Sequence, residues 1–257
     1  MKLTVKLGGV ASGQVAGLAA LAASSSDDWV VVHGGGAEVG DWSRRLGLAP
    51  RTVDGLRVTD ATTLEVVVAV LRGLINARLV AAFATAGRRA IGVSGVDGGL
   101  LDVVAEPELG FVGHVTGVDT TILERWAVDG LLPIVAPLAA DAGGQLLNVN
   151  ADEVAGAVAA ARGGRLLLLT DVDGVERGGT RVDSLDLQAA TAMLADGTAA
   201  GGMRPKLRAA ITAAAAGCDV RILDGRSTDA VRAGLAGGSV GTRILAAAGA
   251  VPAGGHP

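Results

Sequence analysis

Short apolar runs alternate with stretches of helical period along almost the whole chain, and this alternation restricts the fold more than any other feature of the sequence. Strand-length runs fall at 3–7, 29–33, 90–93, 132–136, 166–170, 220–223 and 242–245, and several are Val, Ile or Leu almost throughout. Strands of that kind are buried on both faces, which requires helices above and below a mainly parallel sheet. Helical period fills the intervals at 14–23, 38–46, 61–86 (with Gly73 as an interruption), 120–129, 152–162, 185–195, 205–216 and 228–235. From Gly95 to Gly117 the pattern changes, and apolar runs at 101–104 and 111–115 read as antiparallel hairpin strands. The expectation is an α/β chain folded as a three-layer αβα sandwich with a mainly parallel central sheet.

With 257 residues, half of them hydrophobic, the chain can bury one large core. No internal repeat or linker-like tract interrupts it, so 1–257 reads as a single unit with lobes at 1–162 and 163–257, hinged near Gly163 and Gly164. The tail at 251–257 is expected to fray. The 40 glycines follow no collagen-like period and mark turns. A net charge of −4 gives no support for a nucleic-acid or polybasic membrane surface. Cys218 is the lone cysteine, which excludes an internal disulfide framework and a cysteine zinc cluster, and it reads as a small buried residue. No uninterrupted apolar stretch is long enough to span a bilayer. The segment 15–23 has the flavour of a signal peptide, but it follows Lys6-Leu7-Gly8-Gly9, already a strand and turn. It therefore reads as the first helix, and the protein is expected to be cytoplasmic.

Residue usage points to chemistry. Of 22 basic residues only Lys2, Lys6 and Lys206 are lysine, and Asn76, Asn148 and Asn150 are the only asparagines. A coding bias toward arginine explains the scarcity by itself. The functional alternative is that lysine persists where a compact, mobile ammonium is needed and a planar guanidinium cannot follow a moving group.

In open α/β sheets, ligands bind beyond the carboxyl ends of the strands. Two glycine turns fall at such ends, Gly8-Gly9 and Gly34-Gly35-Gly36, where backbone N–H groups can approach an anion beside a helix N-terminus. Neither is a Walker A loop. On neighbouring strands they make a bipolar anion site, suited to a phosphoryl group passing from donor to acceptor. His33-Gly34-Gly35-Gly36 also fits the oxyanion signature of some esterases, and Gly237-Gly238-Ser239-Val240-Gly241 formally supplies a nucleophile elbow. The context is wrong for that chemistry: Ser239 lies between a helix and a final strand, and His256 is the only downstream histidine.

Asn148-Val149-Asn150-Ala151-Asp152 sits at a strand-to-helix junction, where one residue can serve as N-cap and Asp152 can lie between two ammonium groups. Two buried lysines converging on one phosphoryl group need such a carboxylate to remain charged. Gly201-Gly202-Met203-Arg204-Pro205-Lys206 is a second glycine-led helix entry. A lysine there is unfavourable for the helix itself, which favours a bound anion as its compensating partner.

These motifs, with Gly55-Leu56-Arg57-Val58-Thr59, Thr170-Asp171-Val172-Asp173-Gly174-Val175 and Gly241-Thr242-Arg243-Ile244, resemble the acetylglutamate kinases of the amino-acid kinase fold. They occur in that family's order and spacing over nearly the whole chain. The resemblance implies transfer of the γ-phosphoryl group of ATP, accompanied by Mg2+, to the side-chain carboxylate of N-acetylglutamate, a step of arginine biosynthesis. It implies Lys6 and Lys206 as transition-state stabilisers and Asp152 as the carboxylate organising them. Gly8, Gly9, Gly35 and Gly36 would supply backbone donors, and Arg57 with Asn148 would bind the acceptor's α-carboxylate. ATP would lie against Asp171, Val172, Asp173, Gly174, Val175, Glu176, Thr198, Ala199 and Ala200, with no metal ligand on the protein. The chain starts directly at its first strand, and the resemblance then implies a homodimer insensitive to arginine. The segment 92–98 also resembles kinases acting on aminoadipate or glutamate attached to a carrier protein, a rival that needs a basic docking surface. A non-enzymatic regulatory relative is the other alternative, and it would be expected to lack one of the lysines or Asp152.

Overall fold

The computed structural model describes residues 1–8, 12–53 and 55–246. Eight strands form the central sheet: β1 (Lys2–Leu7), β2 (Asp28–His33), β3 (Ala90–Ser94), β4 (Leu132–Ala136), β5 (Arg165–Thr170), β6 (Ser184–Asp186), β7 (Asp219–Asp224) and β8 (Thr242–Leu245). Their spatial order is β6-β8-β7-β5-β1-β2-β4-β3. All neighbours are parallel except β7 and β8, so the sheet is mainly parallel with β8 and β6 reversed at one edge.

Eight helices cover the sheet: α1 (Ser12–Ala23), α2 (Gly36–Arg45), α3 (Ala61–Thr85), α4 (Thr121–Val128), α5 (Ala151–Arg162), α6 (Leu187–Ala195), α7 (Met203–Ala215) and α8 (Thr228–Leu235). Side chains alternate across a strand, and here the alternation separates two cores. Leu3, Val5 and Leu7 face α1, α3 and α8, with Leu18, Phe83 and Val231 buried among them. Val30, Val32, Leu166 and Leu168 face the other way, onto Val154 and Val158 of α5 and Leu207 and Ala210 of α7. Lys6 occupies the second of these faces by parity, so the strand delivers its ammonium toward α5 and α7.

By length and composition alone α3 could cross a bilayer. Glu65, Arg72, Asn76 and Arg78 interrupt it, and Leu64, Val66, Val67, Val70, Leu71, Leu79 and Phe83 are buried in the fold. The interruption expected at Gly73 is a stretch of π-helix, Ala69–Ile75. Cys218 is buried as expected: its thiol donates to the Ala159 carbonyl at 3.2 Å, and burial pushes its pKa up to about 11. The segment 15–23 belongs to α1, with Leu18, Ala19 and Ala22 buried against the sheet.

Several short elements differ from expectation. The helix expected from residue 185 begins at Leu187 because the Asp186 carboxylate accepts from the Ala189 N–H at 2.7 Å and caps it there, leaving Ser184–Asp186 to pair with β8. A second sheet, ordered Leu101–Ala105, Val112–Val118, Leu146–Val149, Leu138–Ala140, contains the hairpin expected at 101–115 and two further strands. An unanticipated hairpin joins Arg51–Val53 to Leu56–Val58. The central sheet is continuous across Gly163 and Gly164, because β1 pairs with both β2 and β5. The tail at 247–257, including His256, lies outside the described residues.

Candidate active site

The carboxyl ends of β1 and β2 meet the start of α5 around a cavity of about 210 Å³. Lys6, Gly8, Gly35, Gly36, Arg57, Asn148 and Asp152 all line it, together with an apolar wall that includes Val39, Val67, Leu71, Val112 and Pro137. Gly9 lies outside the described residues.

Lys6 Nζ stands 2.7 Å from Asp152 Oδ1, and Lys206 Nζ stands 3.6 Å from Asp152 Oδ2. One carboxylate thus bridges two ammonium groups whose side chains are only 5% and 13% exposed. Burial draws the Lys6 pKa down and Lys206 pushes the same way, while Asp152 opposes them both. Asp152 lies in the first turn of α5, where the helix dipole favours an anion. Asn150 is the N-cap, its side-chain oxygen accepting from the N–H groups of Asp152 and Glu153 at 2.8 and 3.1 Å. Lys206 lies in the first turns of α7, and its ammonium also donates to the Gly202 carbonyl at 3.3 Å. The two helices cross tightly enough to bring these groups together because Gly156 has no side chain: a Cβ there would lie 2.8 Å from the Ala209 backbone.

The glycine turns are shaped by close backbone crossings. Gly8 N–H donates to the Leu169 carbonyl at 3.1 Å, and a Cβ on Gly8 would sit 2.7 Å from that oxygen. Gly34 N–H donates to the Leu7 carbonyl, whereas the N–H groups of Gly35 and Gly36 have no backbone acceptor among the described residues. Gly35 is the N-cap of α2, so these two amides stand at a helix N-terminus lining the cavity.

Arg57 arrives on the unanticipated hairpin. Its Nη2 donates to the Gly36 carbonyl at 2.7 Å, while Nη1 is buried with no partner among the described residues. A buried guanidinium nitrogen with nothing to bind is costly unless a ligand acceptor completes it. Asn148 Nδ2 donates to Thr59 Oγ1 at 3.2 Å. The hairpin's Asp54-Gly55 dipeptide is the sequence signal that could have found it.

The expected nucleotide residues lie elsewhere, beyond the carboxyl end of β5 and before α7. Asp171, Val172, Asp173, Glu176, Thr198 and Ala200 are exposed, and none of them lines the cavity. Gly174, with φ 152°, approaches Thr242 closely. Val175 and Ala199 are withdrawn into the core, so their side chains shape these loops from within. Ser239 lies between α8 and β8, as the argument against an elbow nucleophile required. The segment 92–98 does not line the cavity.

Residues 1–224 match the amino acid kinase family. The chain is 45% identical over 244 residues to an acetylglutamate kinase of Methanopyrus kandleri, covering 87% of this chain and 98% of that protein. It is 41% identical over 257 residues to an acetylglutamate kinase of Solibacter usitatus, covering 96% of this chain and all of that protein (100%). In fold it is similar to N-acetylglutamate synthase from Neisseria gonorrhoeae complexed with coenzyme A and N-acetyl-glutamate. That match has a TM-score of 0.83 at 25% identity, covering 96% of this chain and 60% of the synthase. The fold, the paired lysines about one carboxylate and these likenesses agree: the chain belongs to the amino acid kinase family.

Proposed function

We propose that this chain transfers the γ-phosphoryl group of ATP to the side-chain carboxylate of N-acetylglutamate. The bridged pair Lys6–Asp152–Lys206 beside a cavity with free amides and an unpartnered guanidinium nitrogen carries this reading. The relatives named acetylglutamate kinase support the choice of acceptor.

A carboxylate is already ionised at neutral pH, so no general base is needed. One acceptor oxygen attacks the γ-phosphorus in line, the bond to the bridging oxygen of ADP breaks, and that oxygen carries the electron pair away. Lys6 and Lys206 neutralise the transferring group, and the amides of Gly35 and Gly36 donate to its oxygens and to the acceptor. The Gly8 N–H expected to join them is committed to the Leu169 carbonyl, so Gly8 serves by letting the backbones approach. Arg57 and Asn148 hold the α-carboxylate, and the apolar wall keeps water from competing as acceptor. The residues at the cavity supply cations and amides, with the Asp152 carboxylate committed to both lysines. Mg2+ would accordingly come with the nucleotide and would supply further neutralisation of phosphate charge. In this reading the lobe at 1–162 holds the acceptor and the lobe at 163–257 the nucleotide; every cavity-lining residue comes from the first of these.

The direct test is ATP consumption with hydroxylamine trapping of the acyl phosphate, comparing N-acetylglutamate, glutamate, aminoadipate and N-acetylaspartate. Trapped product with N-acetylglutamate well above the other three is expected; a preference for aminoadipate or glutamate would overturn the acceptor. Arg57→Lys keeps the charge and loses the planar fork, so it should raise KM for N-acetylglutamate by about tenfold or more while leaving KM for ATP unchanged. Steady-state kinetics in both substrates check this.

A homodimer is the assembly this reading favours. β3 is an edge strand with one side unpaired, and beside it α3 exposes Ala69, Gly73, Ala77, Ala81 and Ala84, small residues that let a second copy approach. Sedimentation equilibrium should give twice the chain mass, and a monomer at micromolar concentration would refute it.

A further inference from the structure

The glycine turn after β2 is held from behind by a buried polar relay that the mechanism above does not use. His33 is 1% exposed, with Nδ1 2.9 Å from the Gly34 carbonyl and Nε2 3.1 Å from Asn76 Nδ2. Asn76 Nδ2 also donates to the Ile134 carbonyl at 2.8 Å, and Arg72 Nη1 donates to Asn76 Oδ1 at 3.3 Å. A carbonyl only accepts and a guanidinium only donates, so the two ends of the Asn76 amide cannot be exchanged. His33 Nε2 must then accept, and its proton sits on Nδ1, donating to Gly34. Burial lowers the His33 pKa to about 4, so the ring is neutral at pH 7.

The relay has a defined target. In a trans peptide the C=O and the following N–H point in opposite directions, so fixing the Gly34 carbonyl fixes the Gly35 N–H. The remaining carbonyls of the turn are also engaged, Gly35 by Val39 N–H and Gly36 by Arg57. Sterically, the π stretch of α3 presses on the same turn: a Cβ on Gly35 would lie 2.3 Å from Ile75 Cδ1 and 2.6 Å from Leu71 Cδ2. Leu71 with Ile75, and Arg72 with Asn76, are i,i+4 pairs, so one short stretch supplies both the contact and the relay.

We propose that Asn76 is a positioning residue for phosphoryl transfer: through the His33 imidazole it sets the Gly34–Gly35 peptide so that the Gly35 N–H serves the transferring group. This rests on the kinase reading above. The charged groups near the ring are Arg72 on α3 and, in the neighbouring cavity that His33 shares, Glu38, Asp41, Arg45 and Arg78.

Asn76→Asp tests the relay because it replaces a donor with an acceptor of the same shape. The new carboxylate forces His33 either to move its proton to Nε2 and release Gly34, or to become an imidazolium that donates to both sides. The variant's kcat should fall about tenfold or more at pH 8, less than the loss of a whole oxyanion donor, and recover severalfold relative to wild type at pH 6. KM for ATP should change little. Arg72→Ala, at a half-exposed position, removes the donor to Asn76 Oδ1 while the Ile134 carbonyl still holds Nδ2, so it should lower kcat with Tm unchanged by loosening the amide against His33. It keeps the proposal testable if Asn76→Asp folds poorly. Nitrogen NMR of the wild-type histidines should show His33 as the neutral Nδ1–H tautomer at pH 6. A variant-to-wild-type ratio independent of pH, or an Nε2–H tautomer in the wild type, would overturn the relay while leaving the acceptor assignment intact. Absence of wild-type turnover with N-acetylglutamate would instead remove the acceptor assignment, and the positioning role with it.

Discussion

Asp152→Asn is expected to lower kcat at neutral pH by at least about a hundredfold and to move the alkaline loss of activity to lower pH. The substitution is nearly isosteric, so the cavity keeps its shape and the change is one of charge. In the wild type one carboxylate lies 2.7 Å from Lys6 Nζ and 3.6 Å from Lys206 Nζ. Lys6 is drawn below its ordinary value of 10.5 first by burial, with Lys206 adding to this and Asp152 opposing it. Removing the opposing charge takes the Lys6 pKa down further. The reaction needs Lys6 as a cation, so activity is present below its folded pKa and is lost as pH rises through it. The alkaline limb must therefore shift to the acid side. The folded state loses stability as well, since breaking a buried ion pair costs roughly 3–5 kcal/mol, limited here because Lys6 can release its proton. A kcat–pH profile with a thermal melt separates the two effects. Wild-type kcat with an unmoved alkaline limb would mean that the carboxylate does not organise the lysines.

Lys206→Ala and Lys6→Ala should each cut kcat at least about a hundredfold, on the order of 2.7–4 kcal/mol of transition-state stabilisation, by analogy with a lost oxyanion-hole donor. Their consequences for stability differ. Lys206 stands at the entry of α7 with an ammonium the helix dipole disfavours, so its removal should leave Tm nearly unchanged. Lys6 is packed between β1 and α5 with a side chain 5% exposed, so Lys6→Ala leaves Asp152 facing only the more distant ammonium and should melt earlier. Lys6→Arg is the sharper probe. It keeps the charge, but a planar guanidinium is bulkier than an ammonium and cannot follow the phosphoryl group as an ammonium does. Full activity in Lys6→Arg would show that the scarcity of lysine in this chain is accidental. Near-wild-type turnover in either alanine variant would overturn the assignment of that lysine.

How far each part was legible in the sequence follows from the range of the interactions that make it. Strand 132–136 and helix 228–235 were readable to the residue because their apolar periods and caps are local. The strands Leu138–Ala140 and Leu146–Val149 were not: they pair with each other, and the pair is fixed in its sheet through Val112 and Gly113, which are distant in sequence. The helix expected from 185 was shortened by a cap and a strand partner at β8. Motifs named the residues that gather at the cavity, from Lys6 to Asp152, but they were silent on the hairpin that carries Arg57 inward. They named His33 only as the head of a glycine motif and Asn76 only as one of three asparagines, and joined the two by nothing until the fold put them in contact.

By itself the sequence determined the layered α/β architecture, the family, and a short set of glycines, lysines and carboxylates with phosphoryl-transfer chemistry. Periodicity, composition and motif spacing are properties of neighbours along the chain, and these features need nothing else. The sequence also implied that Lys6 and Lys206, two hundred positions apart in the chain, share Asp152, and tertiary structure supplied the geometry, 2.7 and 3.6 Å from its two oxygens. Tertiary structure alone decided that Arg57 keeps a nitrogen unpaired among the described residues, and that Asn76 holds the turn at Gly35 through a neutral histidine. The reason is physical: ion pairing, burial and hydrogen-bond direction depend on distances between elements, and those distances exist only once the sheet has brought its carboxyl ends together.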